Sequence, residues 1–115
     1  FGHAIETAAG YGEWLHGEAV GTGMLMAVDL SQRLGWLACA DVERVRALLL
    51  RSGLPTVAPV IGAARALELM SMDKKVLAGR IRLVLVKQLG EGVVTGDYPA
   101  DALAATLEAH FGAAA

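Results

Sequence analysis

The chain has 115 residues, 55% of them hydrophobic and 19% charged, which is enough apolar material for one core and one domain. A formal net charge of −2 and a pI near 5.9 supply no basic field for nucleic acid or anionic lipid, so neither is an expected partner. The most apolar stretch, Ala19 to Val28, stops at Asp29, well short of the roughly 20 residues a membrane span needs, so no transmembrane helix is expected.

Phe1 to Ala9 reads as a helix with Ala4, Ile5, Ala8 and Ala9 on one side, ending at Gly10, a residue suited to a left-handed turn. Tyr11 to Glu13 connects it to a second helix from His16 to Leu34, whose period points Val20, Met24, Ala27, Val28 and Leu34 at a core. Gly17, Gly21 and Gly23 each weaken that helix, and glycines there imply the close approach of another element. Asp41 is the expected N-cap of a third helix carrying Val42, Val45, Leu48 and Leu49, with Gly53 and Pro55 as its stop signal.

Residues 56–61 form a short apolar loop, after which Ala63, Ala66, Leu67 and Met70 repeat the helical period as far as Met72. Arg80 to Val86 alternates Ile81, Leu83 and Leu85 against Arg80 and Arg82, a strand pattern, and Val93 to Thr95 can pair back across Gly90 and Gly92 as a hairpin. That is the one β signal read from the sequence. Pro99 opens a last amphipathic helix through Leu103, Leu107 and Phe111, ahead of an alanine tail. The expected fold class is therefore mostly α with a small β-hairpin.

A mean hydropathy of +0.48 is high for an isolated soluble domain, so part of the apolar surface is expected to meet another domain or subunit. The single cysteine, Cys39, has no partner for an internal disulfide and no neighbouring base, and no charged-then-apolar leader opens the chain. A cytoplasmic location follows as the expectation. The chain begins on Phe1 rather than Met and is read as a piece of a longer protein.

His3 and His16 stand thirteen residues apart with Glu6, Glu13 and Glu18 around them, and imidazoles beside carboxylates are the ligand types of a divalent-metal environment. Most histidines, however, are surface or capping residues. Asp73-Lys74-Lys75, after a helix, sets an ammonium where it could meet an anionic substrate or serve as an ordinary solvated helix end. Met24, Met26, Met70 and Met72 read as core filler or adaptable interface, and Trp14 and Trp36 as packing residues.

Phe1-Gly2-His3-Ala4-Ile5-Glu6, followed by Tyr11-Gly12-Glu13-Trp14-Leu15-His16-Gly17-Glu18-Ala19-Val20 and Gly23-Met24, closely resembles the 3-dehydroquinate synthases. Further matches keep that family's order: Arg33-Leu34-Gly35-Trp36-Leu37, Gly53-Leu54-Pro55, Met72-Asp73-Lys74-Lys75, Gly79, Arg82-Leu83-Val84-Leu85 and Leu89-Gly90. Val86 stands where many members have proline, and Gly92 where alanine or another small residue is common.

The resemblance implies the helical C-terminal domain of a two-domain enzyme, preceded in the family by an NAD-binding α/β domain. Members convert 3-deoxy-D-arabino-heptulosonate 7-phosphate, a sugar phosphate, to 3-dehydroquinate and phosphate in the shikimate pathway. They use NAD and a divalent metal, usually zinc and alternatively cobalt, and commonly form homodimers. His16, in Leu-His-Gly-Glu, matches one metal-ligand histidine. The other metal histidine falls four positions before His3, and the glutamate ligand is also outside the chain, so the chain alone is expected to be inactive. His3 matches a histidine near the substrate phosphate, and either Lys74 or Lys75 matches a lysine holding the substrate's anionic end. Related sugar-phosphate cyclases such as 2-deoxy-scyllo-inosose synthase, and a non-catalytic helical interaction module, are the alternatives.

Overall fold

A computed structural model describes residues 1–9, 13–72, 76–77 and 80–112, the last range and 76–77 including Val76, Leu77 and Arg80 by backbone only. The elements run α1 (Gly2–Ala9), α2 (His16–Arg33), α3 (Cys39–Arg51), α4 (Ala63–Ser71), β1 (Val76–Leu77), β2 (Arg80–Ile81), β3 (Leu83–Gln88), β4 (Glu91–Thr95) and α5 (Ala100–Phe111). The fold is mostly helical with small antiparallel sheets, as expected. Among the described residues, no helix is long and apolar enough to cross a membrane.

The central element is α2, which touches α1, α3, α5 and β3. It is therefore buried on most of its circumference, from Ala19, Gly21, Thr22 and Gly23 to Leu25–Val28, Leu30 and Ser31. One core gathers Ile5, Met26, Leu30, Met70, Leu85, Leu107 and Phe111; a second joins Leu25 and Val28 of α2 to Leu37, Val42 and Leu49 around α3. Trp14 and Trp36 pack half-buried against the first core, as packing residues should.

The helix ends use backbone and carboxylates in place of hydroxyl caps. Asp41 is not the N-cap of α3: Ala38 holds that position, and the Asp41 carboxylate, three residues on, accepts the Ala38 N–H at 3.0 Å. Glu18 does the same for α2, accepting the Leu15 N–H at 2.9 Å. Leu15 and Ala38 have no side-chain acceptor, so only the carboxylate half of each reciprocal cap exists. At α4, the N–H groups of Gly62 and Ala63 donate to the carbonyls of Phe111 and Gly112 at 2.9 Å, so the free donors of one helix satisfy the free acceptors of another.

β3 and β4 pair in the register Leu83↔Thr95, Val84↔Val94 and Leu85↔Val93, turning through Gly90, whose φ of +96° favours glycine. Leu83 and Leu85 face the core and Val84 faces out, so the alternation in the sequence reads correctly. The hydroxyl of Ser31, buried in α2, ties the hairpin down by accepting the Val86 N–H at 2.9 Å while donating to the Ala27 carbonyl at 2.7 Å. A proline at position 86 would have no N–H to give.

Val20 and Met24 are 38% and 57% exposed, not core, because small residues on the other faces of α2 admit its neighbours and leave this strip uncovered. Leu48 and Leu67 are likewise on the surface, Leu69 taking the buried place in α4. Met26 and Met70 are buried, Met24 and Met72 exposed. The strand expected from Arg80 to Val86 breaks at Arg82, and Arg80–Ile81 pairs with Val76–Leu77 in a second antiparallel ladder that the sequence had not signalled. Two-residue strands are too short to leave an alternation to read.

Candidate functional site

The α1–α2 junction is built by backbone approaching backbone. A methyl group placed on Gly23 would lie 2.8 Å from the Gly2 nitrogen and 3.1 Å from its Cα, and one on Gly2 would lie 3.3 Å from the Ala19 carbonyl oxygen. Real Cβ atoms essentially never come as close as the 2.8 Å at Gly23, so glycine there is what lets α1 lie against α2. Ala4 and Ile5, 2% and 0% exposed, seal the contact. Gly21, on another face, meets Leu49 and Leu54, which bear on α2 from the α3 side.

His16 is the first residue of α2, and its side chain is 73% exposed. Its Nδ1 lies 2.9 Å from Oε1 of Glu6, which projects from α1 and is itself 26% exposed. An ionised carboxylate has no proton to give, so Nδ1 carries the hydrogen, and in the neutral ring the lone pair sits on Nε2. Among the described residues Nε2 has no hydrogen-bond partner. Val20 and Met24 continue the exposed strip of α2 at steps of four from His16, and Leu15 beside it is 70% exposed.

Of the other candidates, His3 is exposed on α1, one turn before Glu6, so both belong to the same short helix. Glu18 is occupied as the cap of α2, and Glu13 is exposed. Lys74 and Lys75 lie outside the described residues. Among the described residues no three His, Cys, Asp or Glu side chains converge as a metal cluster. Cys39 is exposed and free. His16 with Glu6 behind it is thus at most one corner of a metal site: a ligand nitrogen with its other nitrogen held by a carboxylate is the arrangement metal-binding histidines commonly show.

A second histidine–carboxylate pair joins α5 to α2. Nε2 of His110 lies 2.7 Å from Oδ2 of Asp29, with both side chains nearly buried, and Arg33 approaches the same oxygen at 3.4 Å. Asp29 is thirteen residues beyond His16, about 20 Å along the helix at ~1.5 Å per residue, so this pair is no part of the same site. Partners 81 positions apart leave no local signal in the sequence, so nothing in the spacing of residues announces this pair.

The family model described as 3-dehydroquinate synthase C-terminal matches residues 1–76. The chain belongs to the 3-dehydroquinate synthase family. Proteins named 3-dehydroquinate synthase from Nitrosococcus oceani, Azotobacter vinelandii and Pseudomonas aeruginosa are 61%, 57% and 56% identical to it over 94%, 96% and 100% of the chain. Those matches take in 30%, 30% and 32% of the relatives, so the chain spans about a third of the synthases it resembles. The family model takes in α1 to α4, and with them His3, Glu6 and His16.

Proposed function

We propose that this chain is the helical, metal-contributing part of a 3-dehydroquinate synthase, which converts 3-deoxy-D-arabino-heptulosonate 7-phosphate to 3-dehydroquinate and phosphate. The observation that carries the reading is His16, an exposed imidazole at a helix start, backed by a carboxylate and set in a chain 56–61% identical to proteins of that name.

In this reading Nε2 of His16 is one ligand of zinc or cobalt, and the remaining ligands come from the rest of the protein. When bound, the metal supplies Lewis acidity toward the substrate's secondary alcohol oxygen. His16 orients that charge, and its place at the head of α2 keeps the ligand at the rim of the helical layer. His3, one turn before Glu6, is proposed to give a hydrogen bond to the substrate phosphate as it leaves, since a fixed donor favours developing negative charge. The same role at the substrate's anionic end is proposed for Lys74 or Lys75.

The described residues contain no glycine-rich turn between a strand and a helix, so they do not fit a dinucleotide. NAD, which the reading requires, would be held by the remainder of the protein. The exposed strip of Leu15, Val20 and Met24 beside His16 supports a docking face for that remainder, since adjoining apolar side chains gain from being covered. A cytoplasmic homodimer is part of the same proposal.

The test is zinc content. The full-length gene product should hold stoichiometric zinc that His16→Ala removes, while the 115-residue chain alone binds little and forms no 3-dehydroquinate. Zinc retained by His16→Ala, or turnover by the isolated chain, would overturn the reading.

A further inference from the structure

Glu6 stands behind His16 at 2.9 Å, and its geometry is more constrained than that of an ordinary surface ion pair. Exposed pairs commonly contribute little and wander with their long side chains. Glu6 follows directly on Ile5, which is fully buried, in a helix held by the Gly2–Gly23 backbone contact, so its Cα has no freedom to retreat from α2. The partners are also unequal: the carboxylate is 26% exposed and the imidazole 73%, so the acid is the sheltered member and the ring the presented one. Of the other carboxylates near the head of α2, Glu18 is engaged by the Leu15 N–H and Glu13 is exposed to solvent.

We propose that Glu6 is a positioning residue: by accepting the Nδ1–H of His16 it fixes the ring's tautomer and orientation, so that the Nε2 lone pair is presented to the divalent metal. The proposal rests on the reading of His16 as a metal ligand. Neutral imidazole in water favours the opposite tautomer, with the proton on Nε2, which blocks that nitrogen as a ligand. The contact with Glu6, closed at 2.9 Å, reverses that preference before metal arrives. Glu6 touches neither substrate nor metal; it acts through His16.

Two measurements on the full-length gene product test this. Nitrogen-15 spectra of metal-stripped protein labelled at histidine, with His16 assigned from His16→Gln, should show the proton on Nδ1. Glu6→Ala should move it toward Nε2, and Glu6→Gln, whose amide oxygen can accept the same hydrogen, should largely restore the original tautomer. Zinc competition titrations should then show Glu6→Ala weakened about 10–100-fold and Glu6→Gln by less. If His16→Ala abolishes zinc binding while Glu6→Ala changes neither tautomer nor affinity, the positioning role is wrong and the ligand assignment stands. A tautomer that switches with no loss of zinc affinity also overturns the positioning role. If His16→Ala keeps its zinc, the ligand assignment fails and this proposal fails with it. Should Glu6→Ala not fold, Glu6→Met, which keeps the length of the side chain but cannot accept the hydrogen, is read by the same criteria.

Discussion

The two ends of α2 are held by different physics. At the His16 end, α1 lies against α2 through Gly2, Ala19 and Gly23, backbone on backbone, and the side chains left over, His16 among them, point to solvent. At the Arg33 end, β3 and α5 are held by large side chains and by polar groups reaching between elements: Leu30, Leu85, Leu107 and Phe111 fill the space, Ser31 takes the Val86 N–H, and His110 pairs with Asp29. A contact between backbones is stiff and fixes the register of whatever stands on it, whereas a side-chain core can yield by changing rotamers. The candidate ligand stands on the stiff end.

Substitutions that tax one end and spare the other test this contrast. Phe111→Ala, at a fully buried ring, should cost most, about 3–5 kcal/mol in denaturant-unfolding experiments, while leaving the Glu6–His16 contact intact in the fraction that remains folded. Gly23→Ala should cost about 1–3 kcal/mol even though alanine is the better helix former, because its methyl meets the Gly2 backbone; a neutral result would show that α1 can slide.

Ser31→Ala leaves the Val86 N–H without its acceptor and should cost about 1–3 kcal/mol, with faster amide exchange at Val86 as the local readout. The smallest effect is expected at Gly17, where an added methyl meets nothing within 4 Å: Gly17→Ala should be neutral or stabilise by up to ~1 kcal/mol. Opposite signs for Gly17→Ala and Gly23→Ala, two glycines of one helix, would isolate the backbone contact from helix propensity.

Periodicity made the helices of the described residues and the Leu83–Thr95 hairpin legible, since 3.6-residue and two-residue repeats are local properties of the chain. The family motif around His3 and His16 was legible too, as was the close neighbour announced by Gly21 and Gly23, whereas Gly17, read the same way, meets nothing within 4 Å. Which side of α2 that neighbour would take was not: apolar size pointed Val20 and Met24 inward, but the small residues drew α1 in and left those two exposed. Which acid closes on His16 was also beyond sequence reading. Glu6, Glu13 and Glu18 were equivalent by spacing, and only the folded chain sends Glu18 to a helix end, leaves Glu13 in solvent and closes Glu6 on the imidazole. Local order along a chain determines which residues share a helix; which helices share an edge depends on how closely their backbones can approach, and that is settled only when all of them pack at once.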